Sequence, residues 1–566
     1  MLGWALVILQ PSLVLAQAEC DQSQELDPYR FLRRLSLDLR QQVPTIEEYN
    51  ALDGLEDVPE STIDSFLASQ EYLSSMRHHH EALLWPNPSE GELMSNEFRL
   101  IVAKGPGPDS EKIHRILSAG RTAGYRGSSD LSCADIPQEE LGFDGDGRPN
   151  FEILDPGGPS PNDDIRQEGF VMVAPYWAPD TSIKVCAFDA QALEVGVQGV
   201  PCDSFDLGSG LESNPSKDAG CGCGPNLQWC YGPVVQGELW EEMREQFGEM
   251  VDWVTSGQKP YTDLIEGTSV PMNGRMDFWK RHMGNMLAPT RTINHHTAGE
   301  PAQVENPDYM DREWTERTAS ELRVGVQTLP AFMLRFQTNR SRANRFRIVF
   351  GGQYFIPPEQ PEDPSTADCL ETTPDVTEQC TCRYCHQVLE PLAMYWGGFF
   401  EAGSVQNGDL EVYRSNCDPK EYEPGGEFEN IPVDKMPILC NGFYDTSPEA
   451  QNPGWLHTYQ HIYLDDDKHN NEGLDDPLHQ SMGTNLFVGP IGYATEVINS
   501  GQFAASTVKH LFRRLMKRDM NLDPLDPRNE LDLLKSWTTS FREEWNYDFP
   551  SLVKTMVTHP TYRRVR

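Results

Sequence analysis

The stretch Cys380–Leu392, CTCRYCHQVLEPL, places three cysteines and a histidine within seven consecutive residues. Its core, Cys382–His386, has the spacing C-x-x-C-H, which is the pattern for covalent attachment of a c-type haem. Two thiols three residues apart can reach the two vinyl groups on one porphyrin edge, and the histidine after them can bind the iron. The motif therefore predicts haem attachment through Cys382 and Cys385, with His386 as the proximal iron ligand.

Two other interpretations of this cluster stay open at this point. Cys380 and the motif could together supply four zinc ligands, although structural zinc sites usually draw their ligands from two separated pairs. Alternatively, the cysteines are halves of disulfide bonds and the histidine is incidental. Four ligands in so short a stretch crowd a tetrahedral metal, and reduced cysteine clusters survive poorly where disulfides form, so the pattern favours haem.

The composition limits the classes of protein to consider. The chain has 566 residues, 38% of them hydrophobic, which is enough for several domains with cores of their own. It carries 87 acidic and 46 basic residues, for a formal net charge of −41. Such a charge repels phosphate backbones and anionic lipid head groups. We therefore expect no nucleic-acid partner and no binding to membrane surfaces.

The N-terminal sequence predicts an export signal. Residues 1–18 hold no charged side chain and end in Ala16-Gln17-Ala18, an A-x-A cleavage pattern. The alternative is a membrane anchor, but Pro11 interrupts the apolar run, which is short for a span of about 20 residues. We therefore expect signal cleavage, no integral membrane span thereafter, and a location in the periplasm or at the extracellular surface of a bacterium.

The cysteine count agrees with export. The chain has 13 cysteines, and an exported chain with that many is expected to form disulfides. If haem takes Cys382 and Cys385, 11 cysteines remain, so at most five disulfides leave one over, most simply Cys20. Cys380 is then expected in a disulfide outside the haem motif, with Cys369 as a candidate partner.

Periodicity and composition predict a mainly α, multidomain protein. Apolar residues recur at helical spacing in residues 28–52 and 239–254, and Thr45 with Glu48 forms a capping-box pattern. The stretch 106–235 is instead rich in glycine, proline and cysteine, which predicts a loop-rich, disulfide-stapled insert with short strands such as GFVMVAPYWA. The predicted architecture is a set of helical domains around a small cytochrome c-like haem domain. The predicted boundaries are 1–18 (signal peptide), 19–105 (N-terminal helical domain), 106–235 (insert), 236–355 (central helical domain), 356–480 (c-type haem domain) and 481–566 (C-terminal helical domain).

Two local patterns invite a metal interpretation and are better explained without one. The stretch 61–85 predicts one helix that contains His78-His79-His80. Successive helical side chains diverge by about 100°, so the three rings cannot share one ion, and we expect a solvated face. The segment FDGDGRPNFEILD lacks the first and last carboxylates of a calcium loop and therefore predicts a tight Asp-Gly turn.

The stretch Cys382–Gly403, CRYCHQVLEPLAMYWGGFFEAG, resembles the signature of planctomycete-type cytochrome c domain proteins, in which an acidic residue, proline and leucine follow C-x-x-C-H. Here Glu390-Pro391-Leu392 stands in that place, and Ala393–Gly397 departs from the family, whose members tend to have glycine there. Further stretches similar to segments of these exported proteins occur in the same order along the chain, at 30–52, 250–274, 325–361 and 552–564. The resemblance implies haem attached at Cys382 and Cys385 and ligated by His386, and it implies no particular reaction.

The distal iron ligand is predicted less directly. Met436 lies 50 residues after His386 and precedes a proline, as the methionine ligands of small cytochromes often do. A packing methionine in a turn, an open sixth position and a histidine ligand are the alternatives. His457 and His461 are four residues apart, which would align them on a helix, but such pairs are common on surfaces.

These patterns together predict an exported monohaem c-type cytochrome with one covalent haem c that carries out one-electron transfer. Its redox partner protein is not identified by the sequence. A haem-dependent oxidase or peroxidase is a variant that needs an open, polar distal side. The alternative from another class is a disulfide-stapled envelope binding or scaffold protein in which the haem is structural or absent.

Overall fold

The structure is a computed structural model that divides into two compact units. It describes residues 25–87, 98–104, 112–117, 133–155, 165–197, 199, 202, 220–282, 306–319, 323–354, 380, 382–396 and 490–564. The first unit consists of the described residues of Met1–Ser75, Val508–Leu534 and Pro550–Arg566. The second consists of those of Met76–Thr507 and Lys535–Phe549. The predicted domain boundaries stay predictions.

The described residues are mainly helical, with three small sheets, which agrees with the predicted mainly α class. The N-terminal helices are α1 (Pro28–Arg40), α2 (Ile46–Asn50), α3 (Glu60–Leu67) and α4 (Gln70–Leu84). The helices of the middle of the chain are α5 (Gln138–Leu141), α6 (Val235–Thr255), α7 (Asp263–Glu266), α8 (Gly274–His282), α9 (Pro330–Arg335), α10 (Asn339–Phe350) and α11 (Arg383–Ala393). The last helices are α12 (Pro490–Asn499), α13 (Gln502–Met516), α14 (Leu531–Thr539), α15 (Phe549–Thr558) and α16 (Pro560–Arg563).

Helix α1 begins at a side-chain cap and buries one stripe. The carboxylate of Asp27 accepts hydrogen bonds from the backbone N–H groups of Tyr29 and Arg30. These N–H groups have no acceptor within the helix, because they lie in its first turn. Four apolar residues face the core: Phe31, Leu32, Leu35 and Leu39. Leu37 belongs to the predicted periodic set but is 41% exposed, because it lies two positions, or about 200°, from Leu35. The predicted capping box of Thr45 and Glu48 is confirmed at α2.

The first unit joins sequence from both ends of the chain. The ring of Tyr562 packs edge-on against Phe31, and its hydroxyl donates to Asp38 at 2.8 Å. Arg563 makes two hydrogen bonds to the carboxylate of Asp57, at 2.7 and 2.8 Å. The unit therefore depends on residues that lie more than 500 positions apart in the sequence.

Three strands of a four-stranded sheet in the second unit come from the insert, and the remaining strand, Leu100–Lys104, lies just before it, in the stretch predicted to be helical. The strands are β1 (Leu100–Lys104), β2 (Lys112–Ile116), β5 (Phe170–Val173) and β6 (Ile183–Cys186), in the order β1-β2-β6-β5, while β3 (Glu152–Asp155) and β4 (Ile165–Gln167) form a separate antiparallel ribbon. β2 and β6 run parallel, and the other two pairs run antiparallel. Three disulfides staple this region, as predicted: Cys133–Cys186, Cys202–Cys221 and Cys223–Cys230.

Helix α6 is a central element of the second unit. Its predicted apolar face is confirmed, since five residues at helical spacing are buried: Leu239, Met243, Phe247, Met250 and Val254. The helix packs against α8 and against β7 (Ser269–Met272), which pairs antiparallel with β8 (Thr315–Thr318). Within the described ranges, no helix is both long enough and apolar enough to cross a membrane.

Two local predictions about the N-terminal helices are wrong. The stretch predicted as one helix over 61–85 is two helices, because the Ser69 hydroxyl donates to the carbonyl of Phe66 and accepts from the N–H of Tyr72, ending α3 and beginning α4. His80 is 1% exposed rather than solvated. Its Nδ1 lies 2.7 Å from the carbonyl of Met76 and its Nε2 lies 2.8 Å from the hydroxyl of Tyr261, so a buried ring is satisfied by hydrogen bonds.

The predicted Asp-Gly turn is confirmed. One oxygen of the Asp144 carboxylate accepts hydrogen bonds from the N–H groups of Asp146 at 2.9 Å and Arg148 at 2.8 Å. Gly147 has a φ of 83°, in the left-handed region that glycine adopts at least cost. The carboxylate of Asp144 is therefore a local turn acceptor.

Candidate functional site

The C-x-x-C-H motif lies at the beginning of α11. Cys382 directly precedes the helix, and its carbonyl accepts hydrogen bonds from the N–H groups of Cys385 and His386, both at 3.1 Å. These two hydrogen bonds close the first turn of the helix over the carbonyl of Cys382. Side chains three positions apart in a helical turn lie on the same side, so the fold presents the two sulfurs together, with the imidazole directly following.

The cysteines of this cluster fall into two kinds. Cys380 is buried and disulfide-bonded. Cys382 and Cys385 take no part in disulfides, and both are half-buried. A four-ligand zinc site would need the Cys380 sulfur that the disulfide uses, and paired disulfide halves would need bonds that the two motif thiols do not make. Two thiols within one turn and an adjacent imidazole match the donor set that a covalent haem requires.

The far end of α11 is anchored in the core. Four residues from the last turn and the 3-10 turn that follows it are at most 3% exposed: Leu392, Ala393, Tyr395 and Trp396. The indole N–H of Trp396 donates to the carbonyl of Gln327 at 3.4 Å, and the hydroxyl of Tyr395 donates to Glu496 at 2.8 Å. One end of the helix is thus fixed by buried aromatic side chains, while the other presents the half-buried motif.

Helix α10 packs along α11 and supports it with aromatic contacts. The ring of Phe346 lies 5.7 Å from that of Trp396 and 5.0 Å from that of Tyr493 on α12. Tyr493 in turn stacks on Tyr395 at 5.3 Å between ring centroids. The rings of two helices, α10 and α12, and of the 3-10 turn after α11 therefore interlock, which holds the motif helix in one position in the second unit.

Arg347 brings a positive charge to the motif. Its side chain lies in the contact between α10 and α11, and the residue is 4% exposed. Burial lowers the pKa of its guanidinium, while the interactions with Tyr493, Cys385 and Tyr384 oppose that shift. Nothing in the motif itself predicts that Arg347 lies beside it. The signal that could have found it is the segment 322–358, which contains six arginines and no acidic residue.

The other predicted site residues are outside the part of the chain that the structure describes. Met436, His457 and His461 all lie between residues 397 and 489, beyond the described ranges. The distal ligand therefore stays a prediction. In the described residues no group of three or more His, Cys, Asp or Glu side chains is arranged to hold a metal ion.

A second polar cluster surrounds Glu242 on α6. This carboxylate is 1% exposed and accepts hydrogen bonds from Asn273 at 2.6 Å, Arg275 at 3.2 Å and Arg312 at 3.0 Å. The hydroxyl of Tyr309 donates to the neighbouring Glu238 at 2.7 Å, and burial raises the pKa of Tyr309. The buried carboxylate has three donors, so the cluster is suited to tying α6 to α8 and to the chain around Arg312.

Comparison with known proteins adds no assignment to this geometry, since no family model, curated protein or solved structure matches the chain.

Proposed function

We propose that the protein is an exported monohaem c-type cytochrome that transfers one electron at a time. The observation that carries the proposal is the division of the cysteines at α11. Cys380 is in a disulfide, whereas Cys382, directly before α11, and Cys385, in its first turn, remain thiols, and His386 follows Cys385. Among the described cysteines, those of the C-x-x-C-H pair keep the thiols that haem attachment uses.

The residues of the motif would act as follows. The thiols of Cys382 and Cys385 would hold the haem through two covalent thioether bonds. The imidazole of His386 would bind the iron, and Met436 is the proposed second iron ligand. When bound, the haem supplies a ferric–ferrous couple that takes up and releases one electron.

The surrounding residues would hold this site in place. The buried aromatic side chains after the far end of α11 would hold that helix, and with it the motif, in place. Arg347 places a cation beside the attachment face, where it would favour the ferrous over the more positive ferric state. The disulfides of the insert support a location in an oxidising compartment, the periplasm or cell surface. The charge of −41 supports a redox partner with a basic docking surface.

Covalent haem content tests the proposal directly. The full chain would be produced with a bacterial cytochrome c maturation system, denatured, and measured by the pyridine haemochrome spectrum. We expect one haem per chain in the wild type and none in the Cys382→Ala, Cys385→Ala double variant. Cys380→Ala is the matched control, because it removes a neighbouring cysteine outside the motif and should leave the haem in place. A wild type without covalent haem, or a haem band that persists in the double variant, would contradict the proposal.

A second candidate function has one observation in its favour. Three apolar residues of the β3 ribbon are 40 to 56% exposed: Phe151, Ile153 and Leu154. An exposed apolar ribbon in a disulfide-stapled insert suits a binding or scaffold protein of the envelope. A folded wild type that takes up no haem would favour that function. For a haem-loaded protein, turnover of peroxide in an activity assay would instead favour the peroxidase variant over a pure electron carrier.

A further inference from the structure

Trp85 combines an unfavourable backbone conformation with an exposed side chain. The residue follows the last turn of α4 and has a φ of 50°, in the left-handed region that bulky side chains rarely adopt. Its side chain is nevertheless 48% exposed rather than buried. Backbone strain of this kind persists where the surrounding structure over-determines it, and it is concentrated at ligand-binding positions.

Two guanidinium groups lie against this indole. The guanidinium carbon of Arg345 on α10 is 3.8 Å from the centroid of the Trp85 ring, and that of Arg335 on α9 is 5.9 Å from it. One nitrogen of Arg345 donates to the carbonyl of Leu83, which fixes the side chain over the ring. The distances are those of cation–π contacts, so the indole orders the two arginines that share it.

The two cations are close enough to repel each other. Burial lowers the pKa of Arg345 to about 10, Tyr354 opposes that shift, and the charge of Arg335 adds to it. Among the described residues, neither guanidinium forms an ion pair with a carboxylate. The sequence around them, 322–358, has no acidic residue in a chain whose net charge is −41. An anion between the guanidinium groups would remove this repulsion.

We propose that Trp85, Arg335 and Arg345 form a binding site for an oxyanion. The planar guanidinium fork matches the geometry of carboxylate, sulfate and phosphate groups. The exposed indole of Trp85 adds an aromatic face that a bare inorganic anion does not need but a ring-bearing acid does. The shared chemistry is the oxyanion, and its source is either a free inorganic ion or the carboxylate of a sugar acid.

This site is separate from the haem motif. Arg345 and Arg347 are two positions apart on α10, so their side chains diverge by about 200° around the helix axis. Arg347 contacts the face of α10 that packs on α11, and Arg345 reaches Leu83 and Trp85 on the other. The result of a test of the oxyanion site is therefore independent of whether haem is attached.

Isothermal titration calorimetry of the full chain at constant ionic strength tests the proposal. The probes are sodium sulfate, sodium glucuronate and, as the neutral comparison, glucose. We expect saturable binding of sulfate, glucuronate or both, with Kd raised about tenfold or more by Arg335→Gln and by Arg345→Gln. Arg513→Gln makes the same change of charge at an exposed position in the first unit and should leave Kd unchanged.

The pattern of results decides both the site and the source of the anion. Equal binding of sulfate and glucuronate that is insensitive to Trp85→Ala assigns an inorganic oxyanion. Tighter binding of glucuronate that Trp85→Ala weakens assigns a sugar acid. Binding of neither anion, or equal losses in Arg335→Gln and Arg513→Gln, overturns the proposal. Because Arg345 also supports Leu83, Arg335→Gln decides the matter if circular dichroism shows that Arg345→Gln is unfolded.

Discussion

Glu242 carries a buried charge that accepts hydrogen bonds from three side chains. Its carboxylate meets Arg275, whose side chain is 7% exposed, and it also accepts from Asn273 and Arg312. Substitution by glutamine keeps the shape and removes the charge. We expect Glu242→Gln to lower the free energy of unfolding by about 3 kcal/mol, because the guanidinium of Arg275 stays buried without its main counter-charge. Urea denaturation followed by tryptophan fluorescence measures the change.

The matched control is the same substitution at an exposed ion pair. Glu316 bonds to Lys259 at 2.6 Å, but its side chain is 53% exposed. Glu316→Gln should therefore cost less than about 1 kcal/mol. Equal losses in the two variants would contradict the structural role given to Glu242.

The ion pair of Arg40 and Glu48 predicts a pH dependence. Hydrogen bonds from Arg40 hold the pKa of Glu48 below its ordinary value, against a smaller opposing effect of burial. A carboxyl whose pKa is lowered by folding stabilises the folded state above its unfolded pKa and loses that contribution as the pH falls through its folded pKa. We expect the stability of the wild type to fall more steeply than that of Glu48→Gln between about pH 5 and about pH 3.

Glutamine at position 48 can still close the capping box, so this comparison isolates the charge. The control is Glu47→Gln, which changes an exposed carboxyl next to it in the same helix. Thermal denaturation at several pH values measures the three proteins. Parallel pH profiles of the wild type and Glu48→Gln would show that the ion pair adds nothing to stability.

At the scale of elements, the three disulfides of the insert close loops of different lengths. Their sequence separations are 53 for Cys133–Cys186, 19 for Cys202–Cys221 and 7 for Cys223–Cys230. A longer loop loses more unfolded-state entropy when it is closed, so the stabilisation should fall from about 4 to about 3 to about 2 kcal/mol in that order. Guanidinium denaturation of the three double alanine variants measures it.

All six cysteines are buried, so the alanine substitutions leave cavities of similar kind and the comparison reflects the loops. Each variant therefore acts as a control for the other two. A larger loss from removing the seven-residue loop than from removing the longest one would contradict the entropic account.

The elements show which parts of the fold local sequence can predict. The face of α6 and the capping box of α2 follow from spacing within a single helix, and both were predicted. The break at Ser69 does not follow from the spacing of apolar residues. A serine in a helical pattern can continue the helix, or its hydroxyl can bond to neighbouring backbone and end it, as Ser69 does. His80 was misjudged because its partner, Tyr261, is distant in sequence.

The candidate site divides in the same way. The motif Cys382–His386 is contiguous, so its residues could be named from sequence, and the separate state of Cys380 was expected as well. Arg347 and Phe346 reach the motif helix and the turn after it only through packing between helices, which spacing along the chain does not encode. The contacts that surround a site are thus harder to predict than the motif itself.

At the scale of the whole molecule, the charge of −41 predicts a response to salt. Like charges on a compact surface repel one another, and added salt screens them as the Debye length falls from about 30 Å at 0.01 M to about 8 Å at 0.15 M. We expect Tm at neutral pH to rise by several degrees over that range in both sodium and potassium chloride. A fall in Tm, or a rise in only one salt, would point to specific ion binding instead of screening.

The long sequence separations within the first unit have a consequence for the order of events during synthesis. Tyr562 and Arg563, which cover or bind Phe31, Asp38 and Asp57, are made more than 500 residues after them. The N-terminal helices must therefore remain incompletely covered until those later residues have been synthesised. A stop codon shortly after residue 549 would accordingly expose the apolar face of α1 as well as remove the later helices, and such a product would be prone to aggregation.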